Sequence, residues 1–173
     1  GHETLVSTVI GEILGIDPDS IRVVRPNSLE SLPGNSPVGS RMAIMLGGAA
    51  ARAAEKLKTK IITIAAHQLQ CDADSIDYQG GAMLSADGRR ITWDDIIDSA
   101  HRQIHRLPDG MDPGLASFDI MQVPTGGDLP KEGKVHMYPC YSFEFHLVLV
   151  AFDPIIGKPE IRSYTIGHDC GTV

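Results

Sequence analysis

The stretch Tyr141-Ser142-Phe143-Glu144-Phe145-His146-Leu147-Val148-Leu149 alternates aromatic or leucine side chains with other residues, the period-two pattern of a β-strand. Beyond His146 both faces are apolar, as expected of a strand covered on both sides. Asp153-Pro154-Ile155-Ile156-Gly157 then supplies a turn, and Pro159 to Ile166 reads as the partner strand. Everything upstream has to be judged by whether it adds strands or helices to this pair.

Pro124 to Lys134 is rich in Gly and Pro and reads as a long loop, and Leu115 to Val123 as extended chain. Thr92, with Asp95 three residues on, is a variant of the capping box. It predicts a helix through Ile104, with Ile96, Ile97 and Ala100 facing inward. Ser75 to Tyr78 and Ala82 to Ser85 form a hairpin pattern, and Ala86-Asp87-Gly88 turns into Arg89-Arg90-Ile91. A long helical pattern covers Ser40 to Gln70, with Met42, Met45, Leu46, Ala49, Ala53, Leu57, Ile61, Ile64 and Ala65 as its buried stripe. Thr59 or its lysine neighbours can divide it in two. Gly47 and Gly48 each cost a helix roughly 1 kcal/mol relative to Ala, which predicts another backbone passing close to them. Pro26 to Val38 is a loop by composition, and Ile21 to Val24 reads as a strand. Leu5, Val6, Val9, Ile10, Ile13 and Leu14 mark a short amphipathic helix that Gly15 stops. The sum is an α+β fold, with a mixed or antiparallel sheet and helices packed largely on one side.

The 173 residues carry 15 Lys+Arg against 22 Asp+Glu, a formal charge of −7, which argues against nucleic acid or an anionic membrane as partner. No apolar run approaches the roughly 20 residues of a membrane span. Three widely spaced cysteines, Cys71, Cys140 and Cys170, favour reduced thiols in a cytoplasm over a disulfide framework. The chain opens on Gly1-His2-Glu3-Thr4 and closes at Val173 directly after Asp169-Cys170-Gly171. It reads as one domain or subdomain, residues 1–173, cut at both ends from a larger polypeptide, although Gly1-His2 can also be a tag remnant.

Chemistry has few footholds. Pro37-Val38-Gly39-Ser40 runs straight into the long helix, whose unpaired amides and positive dipole end suit an anion. Gly39 lets a ligand approach the backbone, Ser40 can donate a hydroxyl, and Arg41 can pair with a phosphate. Ser40 can equally be a plain helix cap. His136, Cys140, His168 and Cys170 could close a tetrahedral zinc site, or be two buried thiols and two ordinary imidazoles. The pairs Asp17/Asp19, Asp72/Asp74 and Asp94/Asp95 fall where turns and caps explain them. Asp169, beside Gly171, can orient a polar ligand or satisfy turn amides. There is no nucleophile elbow, Walker-type phosphate loop or dinucleotide fingerprint.

Taken in order, these segments resemble the C-terminal cofactor-binding half of the molybdenum hydroxylase large subunit, the family of xanthine dehydrogenase, aldehyde oxidase and aerobic carbon monoxide dehydrogenase. Gly1-His2-Glu3-Thr4 resembles the family's motif entering a helix, and Leu14-Gly15-Ile16 and Ile21-Arg22-Val23-Val24 its following turn and strand. Gly39-Ser40-Arg41-Met42, with Gly48-Ala49-Ala50, resembles its second helix opening. Phe152-Asp153-Pro154-Ile155-Ile156-Gly157 and His168-Asp169-Cys170-Gly171 resemble its last two strand ends. Met42 departs from the small hydroxyl residue common there. The family's glutamine before Gly1 and its glutamate base, which lies beyond the position of Val173, have no counterpart here.

The resemblance implies part of a subunit that binds molybdopterin, as the cytosine dinucleotide in a bacterial enzyme, and oxidises an aldehyde, an N-heterocycle or carbon monoxide. Its partners would be the rest of the large subunit and iron–sulfur and FAD subunits or domains. Carried over residue by residue, cofactor contacts fall on Gly1, His2 and Thr4, on Val38, Gly39, Ser40 and Arg41, and on Asp169; no catalytic residue or metal ligand is implied. The competing reading is a non-catalytic assembly or interaction module that keeps the fold without the cofactor. By itself the chain is expected to fold at least partly, self-associate weakly, hold no molybdenum tightly and catalyse nothing.

Overall fold

The computed structural model describes residues 1–25, 27, 29, 39, 41–122, 141–169 and 171. Two compact units follow one another along the chain, Gly1–Val123 and Pro124–Val173.

The first unit opens with helix α1, His2–Leu14, which starts three residues earlier than the apolar spacing indicates. Gly15 ends it as expected, in the left-handed conformation at φ 60°, its N–H bonding back to Gly11. Asp17 caps the short turn Pro18–Ser20 by accepting the Asp19 amide at 2.9 Å. The strand expected at Ile21 to Val24 is absent. Ile21 is extended (φ −92°, ψ 115°), but the segment joins no ladder among the described residues. A β-prone run becomes a strand only when another strand takes up its backbone hydrogen bonds.

The long helix forms as one piece. Ala43–Gly47 is π-helical and runs directly into α2, Gly48–Leu69. Thr59 does not break it, because its hydroxyl bonds back to the Glu55 carbonyl at 2.9 Å and leaves the ladder intact. Gln70, left-handed at φ 52°, closes the helix. Gly47 and Gly48 face side chains rather than a backbone: a Cβ would meet Leu5 at 3.6 Å on the first and Met121 at 3.1 Å on the second. The close backbone passage lies elsewhere, between Gly15 and Gly80, where a Cβ on Gly80 would collide with the Gly15 carbonyl.

Strands β1 (Asp77–Tyr78), β2 (Ala82–Leu84) and β3 (Arg90–Thr92) form an antiparallel meander in which Met83 opposes both Tyr78 and Ile91. Thr92 then starts α3, Trp93–His101, with a complete capping box: its Oγ1 accepts the Asp95 amide, and Asp95 accepts the Thr92 amide at 2.9 Å. The helix stops short of Ile104 because Arg102 leaves helical geometry, and Ile104–Arg106 is a separate 3₁₀ turn. Ile96 and Ala100 are buried, four apart on the inward face, whereas Ile97 lies about 100° round the helix and is 42% exposed. Thr92→Ala is expected to destabilise the unit by about 1 kcal/mol in chemical denaturation at neutral pH. The Thr92 hydroxyl and amide hold the Asp95 carboxyl below the usual carboxylate range. Their contribution is therefore present above that range and lost as pH falls through the lowered value, so the deficit of Thr92→Ala should shrink in acid.

The core gathers Ile61, Ile64, Ala65 and Leu69 of α2, Met83, Ile91, Ile96, Ala100 and Leu107. Ala54 apart, only the last part of α2 is deeply buried; Met42, Met45, Leu46, Ala49, Ala53 and Leu57 are half-buried, since sheet and α3 cover the helix towards its C-terminal end. Residues 111–122 run without helix or strand as a strap along α2. Lys60 donates to the Asp112 carbonyl at 2.7 Å and Ser117 to the Ala53 carbonyl at 2.7 Å. Asp119 sits between Lys56 and Arg52, 2.6 and 3.0 Å away; Lys56 above all holds its carboxyl below the usual range.

The second unit is a hairpin of β4, Phe143–Asp153, and β5, Lys158–Asp169, both longer than the sequence pattern indicates. The ladder runs from Phe143↔Asp169 to Asp153↔Lys158 with a bulge between Leu149 and Val150. Asp153 builds the turn by accepting the Ile155 amide at 2.8 Å. The expectation that β4 is covered on both sides does not hold: Phe143, Leu147 and Leu149 on one face and His146, Val148 and Val150 on the other are exposed. A two-stranded ladder has no layer of its own to bury either face. The fold is α+β with antiparallel sheets.

Candidate functional site

Helix α1 begins at Gly1, whose carbonyl accepts the Leu5 amide at 3.0 Å and whose position makes no side-chain cap. The amides of its first turn therefore lack intrahelical partners. His2 and Thr4 are exposed on that turn, and Glu3 pairs with Arg25 at 3.0 Å, both side chains in solvent. The second helix opening lies beside it. A Cβ added to Gly1 would sit 3.7 Å from Met42 Cε, and Leu5 packs against Gly47 one turn further on.

Gly39 is exposed and left-handed (φ 67°), a backbone that side chains rarely adopt. The Arg41 carbonyl accepts the Met45 amide at 2.9 Å, and among the described residues no side chain caps the opening at Met42. The helical run thus opens at Met42, and its leading amides have no helical acceptor. Arg41 carries a buried Nε with no hydrogen-bond partner among the described residues. Two helix openings lie side by side and Arg41 stands at the second, a setting that suits an anionic ligand.

The structure brings Gly1, His2 and Thr4 into the same neighbourhood as Met42 and Arg41. Val38 and Ser40 lie outside the described residues. Asp169 belongs to the other unit, at the end of β5, where Oδ1 accepts the Gly171 amide at 3.0 Å, so the turn-satisfying role is present. Cys71 is a free thiol. His136, Cys140 and Cys170 lie outside the described residues, and among the described ones no set of three His, Cys, Asp or Glu groups is placed to hold a metal ion. The contact between Gly1 and Met42 has no sequence signal, since 41 positions of chain separate them. A cluster at Glu144, His146, Tyr164 and His168 was also missed; its signal was the alternation of Glu144 and His146 read across the Asp153–Gly157 turn to His168.

The whole chain, residues 1–173, matches the model of the molybdopterin cofactor-binding domain. The chain belongs to that family. It is 26% identical over 175 residues to the nicotine 6-hydroxylase large subunit of Paenarthrobacter nicotinovorans, covering all of this chain and 20% of that protein. It is 28% identical over 177 residues to the carbon monoxide dehydrogenase large chain of Hydrogenophaga pseudoflava, covering 99% of this chain and 20% of that one. The molybdopterin-domain fold is also seen in the reconstituted CO dehydrogenase from Oligotropha carboxidovorans, with a TM-score of 0.78 at 24% identity. Quinoline 2-oxidoreductase from Pseudomonas putida 86 gives 0.73 at 20% identity; each comparison covers 99% of this chain and 20% of the other. The chain spans about a fifth of the length of the relatives it matches. Among the described residues no helix is long and apolar enough to cross a membrane.

Proposed function

We propose that this chain forms part of the molybdopterin-binding large subunit of an oxidoreductase that oxidises an aldehyde, an N-heterocycle, carbon monoxide or a similar small molecule. The observation that carries the reading is the meeting of two helix openings with no side-chain cap among the described residues, the second beside Arg41, whose Nε has no partner among them, on a chain whose whole length matches a molybdopterin cofactor-binding domain. A buried guanidinium nitrogen without an acceptor is costly unless a ligand supplies one. A phosphate does so and is favoured at both helix ends.

When bound, the group supplies two-electron redox chemistry at molybdenum. The chain's own residues grip its organic part: first-turn amides at Gly1 and His2, with Thr4 adding a hydroxyl, the Val38–Ser40 approach, and Arg41 toward a phosphate. Asp169 presents a carboxylate beside the Gly171 turn. The dinucleotide form with cytosine fits this reading, because a second phosphate gives Arg41 and the helix openings more than one anionic partner. The rest of the large subunit, together with iron–sulfur and FAD partners, would complete the enzyme, in a cytoplasm that keeps Cys71 reduced. Residues 1–173 are then a subdomain of that larger subunit.

The test uses the full-length protein purified with its partners. Oxidative release of a fluorescent pterin, molybdenum by mass spectrometry and cytidine monophosphate after hydrolysis are each expected at one per subunit. Purified protein with neither pterin nor molybdenum after expression in a cofactor-producing host sinks the reading; pterin without cytidine monophosphate sinks only the dinucleotide form.

A further inference from the structure

The long helix has a weak joint near its start. Ala43–Gly47 is π-helical, Gly48 opens α2, and the Gly48 amide is shared between the Ile44 and Met45 carbonyls. Helices bend at π turns and at glycine pairs: the first loosens the hydrogen-bond ladder, and the second has no side chain to stiffen the backbone. Here both fall on Gly47 and Gly48, and Arg41 and Met42 lie on the far side of them.

The joint is gripped from two directions. A Cβ on Gly47 would stand 3.6 Å from Leu5 of α1, and one on Gly48 only 3.1 Å from Cγ of Met121. Met121 reaches Gly48 because the strap runs antiparallel to α2. Its partners step back along the helix, from Lys60 for Asp112, to Ala53 for Ser117, to Lys56 and Arg52 for Asp119. Ser117, Asp119 and Met121, every second residue, meet the helix, while Phe118 and Ile120 between them are exposed.

Asp119 is the firmest fastening on this stretch. Its side chain is 3% exposed and takes two cations, whereas Ser117 makes a single neutral bond and the Phe118 carbonyl accepts only from Lys56, at 3.2 Å. Charge-assisted pairs outweigh neutral hydrogen bonds, the more so where water is excluded. Met121 follows two residues later, so holding Asp119 holds Met121 over the glycines. We infer that Gly47–Gly48 is a hinge between the helix opening and α2, and that the strap locks it: Asp119 keeps Met121 against Gly48 and so fixes where Arg41 stands. All these contacts lie within Gly1–Val123, and the lock holds whatever Arg41 binds.

Amide hydrogen exchange in the full-length protein tests the lock, read by mass spectrometry on peptides covering 43–50 and, as reference, 61–69. Asp119→Asn keeps the size and removes the charge that two cations share. It is expected to speed exchange over 43–50 about tenfold and to leave 61–69 unchanged. Met121→Ala should do the same while leaving the ion pairs of Asp119 in place. Gly47→Ala stiffens the joint itself, and its Cβ fits at ordinary contact distance from Leu5. Added to Asp119→Asn, it should slow exchange over 43–50 again, by about fivefold. Unchanged exchange over 43–50 in Asp119→Asn, or an equal rise over 61–69, overturns the lock. Failure of Gly47→Ala to restore protection overturns the hinge, since the opening then lies elsewhere in the helix.

Discussion

Arg41→Leu in the full-length protein is expected to cut molybdopterin retention roughly 10- to 100-fold, the loss of one or two charge-assisted hydrogen bonds. Among the described residues the guanidinium's buried Nε has no acceptor, and no side chain caps either helix opening. Leucine keeps most of the packing of the arginine stem and removes only the donors, so the unfolding midpoint of the cofactor-free protein should hardly move. Arg41→Lys keeps the charge but not the fork, and should fall between the two. Equilibrium dialysis against released cofactor, or pterin fluorescence after gel filtration, checks the order. Retention in Arg41→Leu equal to that of the unaltered protein would show that the arginine faces no phosphate.

Ile64→Ala should have the largest effect on stability, about 3 kcal/mol within the range seen for emptied core sites. The residue is fully buried among Ile61, Met83, Ile91, Ile96 and their neighbours, where α2, the three-stranded sheet and α3 meet. Packed on all sides by separate elements, the site can collapse little once three carbons are removed. Ile97→Ala is the matched comparison, since the sequence pattern assigns it to the inward face and the structure leaves it 42% exposed. It should cost less than about 0.5 kcal/mol, as surface changes do. Urea denaturation of the 173-residue chain decides between them: equal losses at Ile64 and Ile97 would mean that α3 is rotated relative to this structure.

Local chemistry was legible residue by residue. Gly15 in a left-handed cap, the Thr92–Asp95 capping box and the Asp153 turn all form where their residue types allow little else. Each depends on atoms a few positions apart, so a one-dimensional reading contains the whole cause. The long helix was legible for the same reason, through its apolar spacing. The motif order of Gly1–Thr4, Gly39–Met42 and Phe152–Gly171 likewise pointed to the family that the whole chain matches.

Long-range partners decided the rest. Ile21 to Val24 has the composition of a strand but no ladder among the described residues, because pairing depends on a second segment that the run does not specify. Gly47 and Gly48 led to the expectation of a close backbone, but side chains fill the space instead, Leu5 and Met121, as set by how α1 and the strap lie across α2. The meeting of Gly1 with Met42 and the row from Tyr164 to His168 were set in the same way, by helix packing and by strand register. Caps, turns and periodicity are short-range steric and hydrogen-bonding effects and can be read along the chain. Which helix ends converge and which side chains share a face follow from burial summed over distant segments, and that sum exists only in the folded molecule.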